Sequence, residues 1–453
     1  MRICRVIVLT LYVIFRNSNM WHGSSWGRKL TRTMKHRFGA TKAWRRTHLL
    51  IVLLCTMLTT ASGQEFEAGG IVYRTSPDDT TCCEVARYDD TVWDVAEVPA
   101  HVVDDMGTRR RVTAVGDSAF RLCSALREVQ LPPSLTSIGR RAFEGCGLLT
   151  VINLPDSVTS VGEAAFAGCS SLRRLRLPAG LRSVGNYAFH ACSGLQQLIF
   201  PPGMRSVGDH AFAGCTGLDS IALPDGLTYV GTYAFQGCVA LRRISLPRSL
   251  RSVEPWLFWG CVRLERVNLP EELESIGRGA FAGCGQLQAT KLPATLTHIG
   301  DEAFAGCESL TSVVLPEGIT TLGRSVFEGC IRLECAMLPA ALAAIGPTCF
   351  YGCRSLRWVV VPDGVARLSD GAFYGCHALT SLTLGRGIVN VGPGTFAGCD
   401  RINEIGILAP SPPEVSAQAF HPSVFRARLH VPREAAAAYS RAPFWKTFRR
   451  TGH

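Results

Sequence analysis

The chain has 453 residues, 47% of them hydrophobic and 18% charged, with a formal net charge of +11. The apolar residues suffice for a continuous core but are spread too evenly for a multi-span membrane protein. Many basic residues fall before residue 64, so the basic total is weak support for nucleic-acid binding.

Residues 1–63 differ in kind from the rest. Arg45 and Arg46 precede an apolar run from Leu49 to Leu58, and Ala61-Ser62-Gly63 supplies a small-x-small cleavage site before Gln64. This is the pattern of a secretory signal peptide, with a run too short for a comfortable membrane span. The signal sits far from Met1; a start at Met34 gives it an ordinary length, with Lys35, Arg37 and Lys42 as its basic region. Val6 to Phe15 forms a weaker rival stretch, and a retained signal anchor is the alternative to cleavage. No other stretch is long and apolar enough to span a bilayer, the C-terminal TFRRTGH carries no anchor signal, and no N-x-S/T sequon occurs.

From Phe120 a repeat takes over. Thirteen phenylalanines, Phe120 to Phe396, stand 23 residues apart, and a cysteine follows each three residues later, from Cys123 to Cys399. A fixed period of this length predicts a solenoid, in which each repeat is one coil and neighbours bury each other's apolar face. Within Leu149–Leu172, the alternation around Ile152, Asn153 and Leu154 predicts a short half-buried strand. Proline ends it, because proline cannot donate to a ladder; Gly385 is the one exception among successive repeats. Val158 and Val161 form a second apolar pair, and Gly162 suits a tight bend or a positive φ. Ala165, Phe166 and Cys169 have helical or 3₁₀ spacing and would share one buried face.

The segment LTSIGRRAFEGCGLLTVINLP, Leu135 to Pro155, resembles the BspA-type leucine-rich repeat. The resemblance covers residues 112 to 406 and extends to both flanks. Gly70-Ile71-Val72-Tyr73 and Val98-Pro99, leading into Val112 and Val115-Gly116, look like the family's opening strands. Phe420, Val431-Pro432, Tyr439 and Trp445 are arranged like its terminal segment. End coils need such caps to keep their core from water. The expected fold is therefore a strand-rich α/β repeat solenoid of about thirteen coils, right-handed by the resemblance. Its expected parts are an N-terminal extension and signal (1–63), an N-terminal cap (64–115), the leucine-rich repeat solenoid (116–406) and a C-terminal cap (407–453). The resemblance implies a non-enzymatic, secreted or cell-surface protein that mediates adhesion by binding extracellular or matrix proteins.

The residues that could carry chemistry read as scaffold. A straight row of thiols supplies at most two near neighbours, whereas zinc needs four ligands about a point. Disulfides between successive coils are disfavoured because stacked side chains run parallel, holding Cβ atoms farther apart than a bridge allows. The row is expected to be buried and reduced. Six cysteines lie elsewhere, and of these Cys82 and Cys83, in the N-terminal cap, are the likeliest to be oxidised. His190, His210, His298 and His377 fall at variable positions and are expected to face solvent. No G-x-S-x-G, P-loop or H-E-x-x-H occurs, so no enzyme and no cofactor or metal is predicted. In the irregular EPWLFW of residues 254–259, Trp256 and Trp259 are expected on the outer side, bulging it.

Function is expected on the outward positions of the strand, which in this family form the concave side. Two clusters stand out: Arg173, Arg174 and Arg176 on one strand, echoed by Arg242, Arg243 and Arg266, and an apolar stripe of Val314, Met337, Trp358 and Val360. Exposed aromatics beside apolar neighbours mark binding surfaces. The expected partner is a protein. The rival reading is an intracellular scaffold, which holds if residues 45–63 are no signal; a mature chain starting near Gln64 separates the two.

Overall fold

A computed structural model describes residues 63–88 and 94–448. The expected signal, Met34, Cys4 and Cys55 lie outside the described residues. The chain forms a β-solenoid of about 14 turns of ~23 residues, with little helix. The L-x-x-I-x-L segment of a coil makes the expected strand, such as Arg174–Arg176 or Arg243–Ser245, with its middle residue buried and its flanks exposed. Successive coils pair in parallel and in register, Arg174 opposite Gln197 and Arg243 opposite Arg266.

A second ladder runs beside the first. The apolar pair seen in the sequence ends in two-residue strands, Ser137–Ile138, Ser160–Val161 and Ser183–Val184, which also stack in parallel register. Val158 and Val161 are buried between the two ladders. The serine points outward and the β-branched or aliphatic residue inward, which satisfies the strand period of two.

The last third of each coil is a chain of tight turns, not the expected helix. The residue two before each phenylalanine has positive φ, as in Arg141 at 54° and Ala164 at 53°, and so has the residue two after it, as in Gly145 and Gly168 at 77°. Left-handed residues at both places stop any helix from propagating. They also aim alternate N–H groups along the solenoid axis. Arg141, Phe143 and Gly145 donate to the Glu163, Ala165 and Ala167 carbonyls of the next coil at 2.8, 2.7 and 2.7 Å. The turn edge thus has its own inter-coil ladder without being a strand.

Inside this edge the phenylalanines stack face to face. Centroids lie 4.8 Å apart at Phe120–Phe143 and 5.9 Å at Phe235–Phe258, and all thirteen rings are buried. Each thiol from Cys146 on donates to the carbonyl of the phenylalanine 26 residues earlier, Cys146 Sγ to Phe120 O at 2.9 Å and Cys238 Sγ to Phe212 O at 3.3 Å. The row is buried and free of disulfides, as expected. Gly162 opens a tight turn, as expected, its carbonyl accepting from Ala165 N at 3.3 Å, but it lacks the positive φ. Its place is fixed by close approach, since a Cβ there would lie 2.8 Å from Arg140 N and Gly139 C of the preceding coil.

The ring row runs past the repeat at both ends. Tyr88, at the end of the antiparallel strands Glu65–Ala68, Ile71–Thr75 and Cys82–Tyr88, packs on Phe120 with centroids 5.1 Å apart and the rings tilted by 36°. Phe420 stacks on Phe396 at 4.9 Å, adding a turn whose strand Glu404–Ile407 pairs with Arg428–His430. Buried Trp445 and Tyr439 then close the end, Trp445 Nε1 donating to Pro413 O at 2.9 Å and the Tyr439 hydroxyl to Ala409 O at 3.0 Å. Cys82 and Cys83 are not oxidised: both are buried free thiols, and Cys82 Sγ donates to Asp79 Oδ2 at 3.2 Å.

Candidate binding face

The outward strand positions form two columns along the sheet. The first runs Arg174, Gln197, Ser220, Arg243, Arg266; the second runs Arg176, Ile199, Ala222, Ser245, Asn268. The apolar set continues these columns in later coils. Val314 pairs in register with Met337, and the next strand, Trp358–Val361, brings Trp358 and Val360 alongside. All four are exposed, at 64% for Val314, 46% for Met337, 36% for Trp358 and 48% for Val360. The pleat explains this: Val313, Ala336 and Val359 occupy the inward positions and are buried.

The arginines do not act alike. Arg176 pairs with Asp156 at 3.4 Å and Arg242 with Glu265 at 3.2 Å. The Ala179 N–H, and after it the Arg176 guanidinium, hold the Asp156 carboxyl below the usual range. Arg173, Arg174, Arg243 and Arg266 are exposed and have no ion-pair partner among the described residues. The N-terminal half of the face therefore carries free guanidinium groups, and the C-terminal half carries free apolar surface.

Between the halves the sheet is interrupted. The strands from Arg174 to Asn268 form one sheet that ends at Arg266–Asn268, and the next face strand is Ser312–Val314. The coil between them reads Ala289-Thr290-Lys291, with Thr290 at the inward position held by Val267 and Val313 in its neighbours. A hydroxyl there cannot replace the buried aliphatic contact, and the strand does not form. The second ladder reaches this coil, Ile276 pairing with Ile299, and its sheet also ends there, the next one starting at Thr321–Leu322.

An aromatic ladder on the turn edge went unseen in the sequence reading. Tyr187, His210 and Tyr233 stack at 4.7 and 4.6 Å, Trp256 follows at 6.0 Å, and the Arg278 guanidinium lies 5.4 Å from the Trp256 ring. The four rings all stand two before a phenylalanine, and that shared position is the signal that could have revealed them. His190 and His210 are half-buried, unlike His298 and His377, because stacked rings and the next coil cover them. Burial lowers the pKa of both. Trp256 is likewise half-buried within the stack, while Trp259 is 43% exposed. Among the described residues no group of three or more His, Cys, Asp or Glu is placed to hold a metal ion, and no helix is long and apolar enough to cross a membrane.

What the geometry offers is a long, open, chemically graded surface. The model of the BspA type leucine rich repeat region matches residues 105–219, 205–334 and 330–426. The chain belongs to this family. A leucine-rich repeat protein from Bacteroides ovatus is 23% identical, covering 81% of this chain and 100% of its own, with a TM-score of 0.64. The pneumococcal vaccine antigen PcpA is 18% identical, covering 83% of this chain and 95% of its own, with a TM-score of 0.50. These likenesses speak to the fold alone. No curated protein matches the sequence. BspA-type repeat proteins are typically cell-surface proteins, and the leucine-rich repeat fold is generally non-catalytic and typically binds proteins.

Proposed function

We propose that this BspA-type protein is a non-enzymatic, secreted or surface-displayed binder of another protein, engaging it through the sheet face. The observation that carries the reading is the apolar stripe. Val314, Met337, Trp358 and Val360 leave the sheet exposed on three successive coils, as one apolar set with a tryptophan in it. A tryptophan flanked by aliphatic residues is the usual anchor of a protein interface, because it loses much water and little conformational freedom on docking. Arg173, Arg174 and Arg176 lie on the same face toward the N-terminus and act as rim charges that steer the partner. Binding needs no cofactor and rests on complementarity over several coils.

The experiment is capture of extracellular proteins by the purified chain, compared with its Trp358→Ala and Trp259→Ala variants. Loss of the captured partner with Trp358→Ala alone supports the reading. Loss with Trp259→Ala alone moves the interface to the turn edge and ends it. N-terminal sequencing of the exported protein tests secretion separately, with Gln64 as the expected first residue.

A further inference from the structure

The interruption of the sheet leaves a recess of about 430 Å³ lined by Arg266, Asn268, Glu271, Thr290 and Lys291. Its chemistry differs from that of the apolar stripe. Arg266 carries no ion-pair partner, and its in-register neighbour Arg243 carries none either. Lys291 reaches Glu271 at 3.0 Å, but both side chains are largely exposed, so the pair is weak and the ammonium stays available. Asn268 Nδ2 donates to Ser245 Oγ at 2.9 Å, which leaves the serine proton and the asparagine side-chain oxygen Oδ1 without a protein partner among the described residues. The backbone adds another open group. In some coils the leucine before the proline donates across to the next coil, Leu246 N to Asn268 O at 3.0 Å and Leu315 N to Met337 O at 3.1 Å. Leu269, like Leu223 and Leu338, has no such partner among the described residues, and at Leu269 the N–H borders the recess.

We propose that Arg243, Arg266 and Lys291, with the recess at Thr290, form a binding site for an acidic polysaccharide. Two unpaired guanidinium forks on adjacent strands, about 4.8 Å apart, and an ammonium beyond them match anionic groups repeated along an extended chain. Ser245, Asn268, Thr290 and the Leu269 N–H supply the neutral donors and acceptors that sugar hydroxyls need. An acidic protein fits less well. Interface cores favour aromatic and apolar anchors, and this stretch offers Ser220, Ala222, Ser245 and Asn268 in their place. The site is independent of the protein-binding stripe and can stand or fall without it.

The test is titration of the full chain with a heparin-derived hexasaccharide, with polyglutamate of matched charge and neutral dextran as comparisons. The hexasaccharide is expected to bind, more weakly as salt rises, and dextran not to bind. Replacing Arg243 and Arg266 together by serine should weaken binding at least tenfold. Replacing Arg248 and Arg263, exposed arginines of the same two coils off the face, removes the same charge and should change it less than twofold. Thr290→Val restores an inward aliphatic residue without altering charge, and it should close the recess and weaken binding at least threefold. Equal losses from the two arginine pairs, polyglutamate binding as tight as the sugar, or a Thr290→Val variant that binds like the parent would each overturn the proposal.

Discussion

The turn edge and the sheet face of this solenoid are built from the same coils and obey opposite rules. On the turn edge every coil repeats the same parts: a left-handed residue, a stacked phenylalanine, a second left-handed residue and a thiol bonded to the coil before it. On the sheet face only the inward residue is constrained, and its neighbours change from arginine to serine to valine to tryptophan. The edge therefore carries the stability and the face is free to carry recognition. A solenoid separates these tasks because each coil contacts only its neighbours, so an outward side chain can vary without a packing cost. Substitutions on the two sides should accordingly differ in kind: edge changes alter stability, and face changes alter binding.

The widest gap between the two sides should appear at alkaline pH. Burial pushes the thiols of Cys192, Cys261 and Cys330 from 9.0 up to about 12. Unfolded cysteines release their protons near pH 9 while these three keep theirs, so above that pH the unfolded state binds fewer protons. Their contribution is intact below about pH 9 and is lost as pH climbs toward 12. Each of the three costs about 1.4 kcal/mol per pH unit in this window. Over two pH units the three together remove about 8 kcal/mol, comparable to the ~5–15 kcal/mol that holds a typical domain. Urea midpoints should therefore fall steeply between pH 9 and pH 11. A flat profile to pH 11 would mean that the row is solvated.

Next in size is the ring row. Phe235→Ala removes a fully buried ring stacked at 5.6 Å on Phe212 and 5.9 Å on Phe258, and should cost about 3–5 kcal/mol. Denaturant unfolding checks this, and a cost under 1 kcal/mol would show that neighbouring coils collapse into the gap. On the face, Trp358→Ala should change stability by no more than about 0.5 kcal/mol and weaken partner binding by about 2 kcal/mol or more. The reverse pattern, a large stability loss with unchanged affinity, would make the tryptophan a packing residue and erase the contrast between the sides.

Part of this contrast could be read from the sequence and part could not. The 23-residue period revealed the stacked rings, the buried thiols and the inward–outward alternation of the first strand, because each depends on one residue type recurring at one place. The second ladder was missed, since two-residue strands such as Ser160–Val161 are shorter than any periodicity. The turn edge was misread as helical because i, i+3 spacing in Phe166 and Cys169 fits a helix and a pair of turns equally well. What decides between them is the left-handed backbone at Ala164, which has no fixed side chain to announce it. On the face, the arginines and the apolar stripe were legible residue by residue. Their pairing was not: nothing in the order of residues says that Asp156 neutralises Arg176 and leaves Arg174 free. The fault at Thr290 was there to be seen as one polar residue in an apolar column.

The left-handed positions offer a smaller test of the edge. Ala164 holds φ 53°, which costs a non-glycine residue about 1–2 kcal/mol, so Ala164→Gly should stabilise the fold by up to about 1 kcal/mol despite the added flexibility of the unfolded chain. The same change at Ala222, an outward strand residue, should destabilise slightly, because glycine weakens a strand. Thermal midpoints of the two variants, moving in opposite directions, would place the strain on the turn edge; both falling would remove it from the account.

The smallest expected effect belongs to the arginines nearest the N-terminus. Arg173 and Arg174 are unpaired and Arg176 is held by Asp156, with every one of these side chains exposed. Exposed charges interact through water and are screened beyond a Debye length of ~8–10 Å. Replacing Arg173 and Arg174 with serine should therefore lower partner affinity by about 0.2–1 kcal/mol at low salt, chiefly through the association rate, and by almost nothing in concentrated salt. Arg176→Ser should do less at either ionic strength, because its charge is already partly met by Asp156. Association and dissociation rates at two salt concentrations separate these outcomes. A loss that survives high salt and appears in the dissociation rate would mean that the partner buries these arginines, extending the interface across the fault at Thr290 and joining the two halves of the face into one site.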